Sequence, residues 1–119
     1  IFLARQHASK DEIKAYITNE FGYDLTESIE SIRTWYKFDE SCKGTVPQSI
    51  ICFLESTNFE DAIRKAIYIG GDSDTIACIV GGIAEAYYGI TQDIRETVME
   101  YLTEELGEVV EEFYRRINM

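Results

Sequence analysis

Basic residues are scarce in this chain. Eleven Lys and Arg stand against twenty-two Asp and Glu in 119 residues, a net charge of -11. The basic residues are also scattered, so there is no cluster to neutralise phosphates, and binding to a nucleic-acid scaffold or an anionic membrane surface is excluded as a function class. Cysteine is equally sparse. Cys42, Cys52 and Cys78 are odd in number and lack C-x-x-C or His-paired spacing, which argues against a disulfide framework and a zinc knuckle and makes the reducing cytoplasm the default setting. The single histidine, His7, stands where a helix ends, a position that suits a surface or C-terminal charge role. No stretch within these residues reads as a targeting signal or reaches membrane-spanning length. Apolar residues nowhere alternate with period two, so an all-α fold is expected, and 119 residues suffice for one compact domain but not for two developed cores.

What is present begins with local helix signals. Ser9 followed by Glu12 is a capping-box pattern, and Ile13, Tyr16, Ile17 and Phe21 then recur at helical spacing up to Gly22, a left-handed C-terminal cap. Ser28 opens a short helical turn through Ile29, Ile32 and Arg33. The aromatic cluster Trp35-Tyr36-Lys37-Phe38 after it is expected to plug the core, although the same rings could stack on an adenine. Thr45 with Pro47 marks a helix start, and Asn58 caps the next helix, with Asp61 in its first turn. From Thr91 onward a long amphipathic pattern runs through Ile94, Val98, Leu102, Leu106, Val109, Phe113 and Ile117, with Gly107 as the expected break. Its acidic other face reads as a solvated outer surface. Ile1 to Arg5, apolar and without a preceding Met, read as the last turns of a helix that begins elsewhere, so the chain is expected to be the C-terminal part of a longer protein.

The rest is organised around Gly70-Gly71-Asp72-Ser73-Asp74-Thr75 and the apolar run that follows. Two glycines permit a tight turn, and two carboxylates and a hydroxyl then arrive within four residues where a helix begins. These are hard oxygen donors, suited to Mg²⁺, Mn²⁺ or Ca²⁺ and unsuited to zinc or copper. A helix cap would need only one acid. An EF-hand is excluded because Ala77 and Ile83 stand where its Gly and Glu belong, and a P-loop because there is no Lys. The helix from Asp74 to Tyr88 carries Glu85 as its only charge beyond the first turn, and is expected to be the most buried helix of the fold. Gly81-Gly82 in its middle predicts a neighbouring helix backbone passing close by.

This motif, with the small-residue helix ending Ala84-Glu85-Ala86-Tyr87-Tyr88-Gly89, resembles the C-terminal motif of the ADP-ribosylglycohydrolases, the dinitrogenase-reductase-activating glycohydrolase family. Gly44-Thr45-Val46-Pro47-Gln48-Ser49-Ile50 and Asn58-Phe59-Glu60-Asp61-Ala62-Ile63 look like the two helices that precede it in bacterial members. The resemblance implies a compact orthogonal all-helical domain, of which this chain is the C-terminal half. It implies two divalent cations, Mg²⁺ or Mn²⁺, with Asp72, Asp74 and Thr75 among their ligands, and a substrate-facing role for Gly44, Thr45, Val46 and Gly71. It also implies hydrolytic release of ADP-ribose from a modified protein or a small-molecule acceptor. The family's Thr-Asp-Asp motif does not occur here, so the remaining ligands and the general base are expected from the N-terminal half of the same fold, the chain's implied partner. The alternative is a non-catalytic helical interaction or storage module that retains the fold.

Overall fold

The computed structural model describes residues 1–118. Among them every regular element is helical: α1 (Phe2–Arg5), α2 (Lys10–Phe21), α3 (Ile29–Trp35), α4 (Val46–Glu55), α5 (Phe59–Tyr68), α6 (Ser73–Tyr88), α7 (Gln92–Glu100) and α8 (Glu104–Ile117). The helices fall into two compact units, Ile1–Gly89 and Ile90–Met119.

Helix boundaries in the first unit follow side-chain chemistry. The Ser9 hydroxyl accepts the Glu12 N–H while the Glu12 carboxylate accepts the Ser9 N–H, so two orphan donors of α2 are satisfied reciprocally. Gly22 ends that helix at φ 68°, a backbone state that costs glycine little. Ser28 caps α3 through the Ser31 N–H, and Asn58 caps α5 through the Asp61 N–H. His7, exposed at φ 61°, closes α1, and its N–H reaches the Ala4 carbonyl.

The core of this unit is built by α4, α5 and α6, with α1 against α6 and α3 against α4. Ala62 and Ala66 on α5 are fully buried, and such small residues let α6 approach closely with its stripe Ile76, Val80 and Ala84. The most buried helix is α4 rather than α6: Pro47, Ser49, Ile50, Ile51, Cys52 and Phe53 are buried in its ten residues, against three in the sixteen of α6. Low charge shows what a helix can bury; neighbours on both sides decide what it does bury. Gly81 and Gly82 also differ from expectation, because a Cβ there would meet the side-chain methyls of Ile63 and Ile1 at 3.3 and 3.4 Å, not another backbone. The glycines accommodate isoleucines.

At its C-terminal end α6 is fastened to α4. The Tyr88 hydroxyl donates to the Ser56 carbonyl at 2.7 Å and lies 2.9 Å from the Ser56 hydroxyl. Lys10 donates to the Leu54 and Ser56 carbonyls, the last acceptors of α4, and its ammonium lies 5.2 to 5.8 Å from the ring centres of Phe53, Tyr87 and Tyr88. A cation there is doubly favourable, near a helix C-terminus and over aromatic faces.

In the second unit the predicted long helix is broken at Tyr101–Thr103 and not at Gly107, which lies inside α8. The Thr103 hydroxyl accepts the Leu106 N–H, and Glu104 and Glu105 favour the new helix N-terminus, so a cap with acids behind it outweighs a lone glycine. Leu106, Val109 and Phe113 of α8 are exposed.

Candidate metal and substrate site

The turn between α5 and α6 is made by Gly70 at φ 82° and Gly71 at φ 73°, both left-handed. It brings Asp72, Asp74 and Thr75 to the start of α6, with Asp72 half-buried and Asp74 and Thr75 exposed. Asp72 occupies the N-cap position, yet its side chain makes no capping hydrogen bond. Its carboxyl instead lies beside that of Asp74, and this neighbour is the first cause that holds the Asp74 carboxyl below the usual carboxylate range, followed by the backbone N–H groups of Thr75 and Asp74. The Thr75 N–H donates to Asp74 Oδ1 at 3.0 Å. Two acids are therefore held together where one would complete the helix.

The donor set fits a hard divalent cation in kind: two carboxylates and a hydroxyl, from adjacent residues on a rigid helix start. It is short in number, because among the described residues no group of three or more His, Cys, Asp and Glu side chains converges. Mg²⁺ keeps several waters and accepts such partial protein shells.

The Gly44–Val46 segment is arranged as a self-braced loop. Gly44 donates its N–H to Ser41 Oγ at 3.0 Å, and its carbonyl accepts the Tyr36 hydroxyl. The Asp39 carboxylate lies so close to the Gly44 Cα that a Cβ would fall 2.0 Å from it. Hydrogen bonds from the Ser41 hydroxyl and N–H keep the Asp39 carboxyl below its ordinary range. Thr45 is 3% exposed; its hydroxyl donates to the Asp39 carbonyl at 3.0 Å, and Val46 is half-buried against the core. The backbone groups of Gly44 and the Thr45 hydroxyl are thus engaged inside the loop, so these residues give it shape. In the first turn of α4 just beyond it, Gln48 Oε1 is buried without a hydrogen-bond partner.

These two segments meet through Tyr36, a contact that no sequence spacing indicates. Its hydroxyl bonds to Gly44, and its ring lies on Gly71 so closely that a Cβ there would be 2.3 Å from Tyr36 Cε1. Burial, with the nearby charges of Asp39 and Asp72, raises the Tyr36 phenol above its ordinary pKa, while the Thr45 hydroxyl acts in the opposite direction. The expected core plug is corrected at the same time: Trp35 and Phe38 are 50% and 63% exposed, and only Tyr36 turns inward. The chain leaves α3 in extended conformation at Tyr36, φ -67° and ψ 133°, and the Trp35 ring stands edge-on to the Tyr36 ring at 5.7 Å. No spacing rule reports this contact. The only available hint was that glycine at 71 leaves room for a neighbour.

A family model for the ADP-ribosylglycohydrolases matches residues 4–119. The chain is 30% identical to the ADP-ribosylhydrolase ARH3 of Danio rerio, in a match covering 74% of this chain and 30% of that protein. It is 42% identical to the ADP-ribosylhydrolase ARH3 of Homo sapiens and to that of Mus musculus, each match covering 40% of this chain and 16% of the relative. The chain thus spans less than a third of the length of the curated relatives it matches. No solved structure matches it. With a family match that includes every helix from α2 to α8, the chain belongs to the ADP-ribosylglycohydrolase family.

Proposed function

We propose that these residues are the C-terminal part of a metal-dependent hydrolase that cleaves the glycosidic bond joining ADP-ribose to a modified protein or a small-molecule acceptor. One observation carries the reading: Asp72 stands at the N-cap of α6 without capping it, and its carboxyl is turned to Asp74. The Asp72 neighbour favours the ionised form of Asp74, and a charged carboxylate beside an acid that does not cap the helix is available to ligate a cation. Asp72, Asp74 and Thr75 would hold the metal side of the site, and Gly71 and the Gly44–Val46 loop would form the wall beside it. When bound, a pair of Mg²⁺ or Mn²⁺ ions supplies charge neutralisation and orientation for ribose hydroxyls. The chain's own part is to fix two negative charges on a helix start clamped at its far end by Tyr88. The general base and the remaining ligands belong, in this proposal, to the N-terminal half of the same fold, within one domain. The free cysteines Cys42, Cys52 and Cys78 suit a reducing cytoplasmic setting, and no helix among the described residues is long and apolar enough to cross a membrane.

A second reading is a non-catalytic helical module, favoured by the absence of a third convergent ligand among the described residues. Asp74→Asn separates the two. In the complete protein, assayed with Mg²⁺ and Mn²⁺ on ADP-ribosylated protein, loss of a ligand charge should lower cation affinity by about tenfold or more and ADP-ribose release with it. The fold should be retained, since Asp74 is exposed in the first turn of α6, where Asn removes one dipole-favoured charge and no buried contact. Unchanged affinity and unchanged release would end the enzymatic reading of this motif.

A further inference from the structure

We infer that Tyr36 is a positioning residue that couples the cation-binding turn at Gly71–Asp72 to the loop of residues 39–46. The inference rests on the reading of Asp72 and Asp74 as cation ligands and goes beyond it, because Tyr36 touches neither carboxylate as a ligand would. Two separate contacts carry it. The Cδ1–Cε1 edge of the ring lies on Gly71, where left-handed φ and the absence of room for a Cβ both demand glycine. The hydroxyl at the other end of the ring donates to the Gly44 carbonyl.

A phenol ring is rigid, so the two contacts are held at a fixed separation. Gly71 is joined directly to Asp72, the first proposed ligand and the N-cap of α6. Gly44 is joined to Thr45, the N-cap of α4, whose hydroxyl ties back to Asp39. Tyr36 therefore spans the starts of two helices that are already packed together along their lengths. A cation that draws Asp72 and Asp74 into one shell fixes the Gly71 backbone against the ring, and the hydroxyl carries that restraint to Gly44. Coupling of this kind is reciprocal: whatever orders the loop also favours the cation.

The two contacts can be cut independently. Tyr36→Phe keeps the ring on Gly71 and deletes the hydroxyl. In the complete protein, hydrogen exchange read by mass spectrometry with and without Mg²⁺ should show slower exchange at both 72–78 and 39–46 in the wild type. In Tyr36→Phe, Mg²⁺ affinity by calorimetry should fall by about fivefold or more, the low end of site coupling. Protection of 72–78 should persist, and the response at 39–46 should be lost. A purely structural tyrosine would lower stability without selectively erasing that cation response. If the Phe variant does not fold, Gly71→Ala displaces the ring from the other side and should erase the same response. Mg²⁺ binding with no change at 39–46 in the wild type, or with the same change in Tyr36→Phe, overturns the coupling and leaves the metal reading intact. No Mg²⁺ binding by the wild type overturns both.

Discussion

Gly70 and Gly71 make a controlled experiment in backbone strain against steric fit. Both have left-handed φ, 82° and 73°, but a Cβ on Gly70 would meet nothing within 4 Å, whereas one on Gly71 would sit 2.3 Å from Tyr36 Cε1 and 2.9 Å from Cδ1. Gly70→Ala should therefore report strain alone. The left-handed state costs a residue with a Cβ about 1–2 kcal/mol, and the loss of unfolded-state freedom returns about 0.4–1, so a net destabilisation of about 1 kcal/mol is expected. Gly71→Ala carries the same strain plus an overpacking cost of about 1–3 kcal/mol, for a total of about 2–4. Displacing the ring would break the hydrogen bond from its hydroxyl to the Gly44 carbonyl, so moving it aside does not relieve the cost. Urea unfolding followed by circular dichroism at 222 nm measures both variants. In a Tyr36→Ala background the excess cost of Gly71→Ala should vanish, while that of Gly70→Ala should not change. Equal costs at the two glycines, within the roughly 0.5 kcal/mol to which independent effects add, would refute the Tyr36 contact.

Three further outcomes follow from the packing and the charges. Phe53→Ala, at a fully buried ring with Tyr87 and Tyr88 edge-on at 5.2 and 6.1 Å, should cost about 3–5 kcal/mol in urea unfolding, whereas Phe38→Ala at an exposed ring should stay within about 0.5. Burial pushes the Cys52 thiol up to about 12, so its contribution is complete below the ordinary thiol pKa and lost as pH rises toward the folded value, at about 1.4 kcal/mol per pH unit. Unfolding curves from pH 9 upward should show this alkaline fall and Cys52→Ala should lack it, while in the folded protein a thiol reagent should modify exposed Cys42 and Cys78 before Cys52. The Lys65 ammonium, and then the Thr57 N–H, hold the Asp61 carboxyl below its usual range. Its stabilisation is thus present above the ordinary carboxylate pKa and disappears as pH falls through the lower folded value. Asp61→Asn should flatten that acid limb and cost about 0.3–0.5 kcal/mol at neutral pH for the lost helix pair, measured by thermal melts across pH.

Where chemistry is local, the sequence was sufficient. The Ser9–Glu12 box, the Gly22 stop, the Ser28 and Asn58 caps and the all-helical class depend on residues within four positions of each other, and a side chain reaches no further along a helix surface. The misplaced break near Gly107 has the same origin. A glycine only lowers helix propensity by about 1 kcal/mol, whereas Thr103 supplies a cap that starts a new helix, and the cap was the stronger of the two local signals. The ranking of α4 above α6 was not legible, because apolar content is shared by a helix enclosed on both sides and one whose outer face is half-open.

The candidate site divides along the same line. Asp72, Asp74 and Thr75 are consecutive in the chain or nearly so, and their grouping at a helix start could be read from the two preceding glycines. That Asp72 does not cap its helix could not be read, since the choice between capping and facing Asp74 is made by side-chain rotation. Tyr36 lies thirty-five positions from Gly71, and a contact across that separation follows from the packing of α3, α4 and α6 rather than from any period. Its phenol responds to that environment: burial first, then Asp39 and Asp72, favour the neutral form. At neutral pH the hydroxyl is accordingly a hydrogen-bond donor, which is what the Gly44 carbonyl requires. The most sequence-legible part of the site is the part that would hold charge, and the least legible is the neutral side chain that holds its two segments in place.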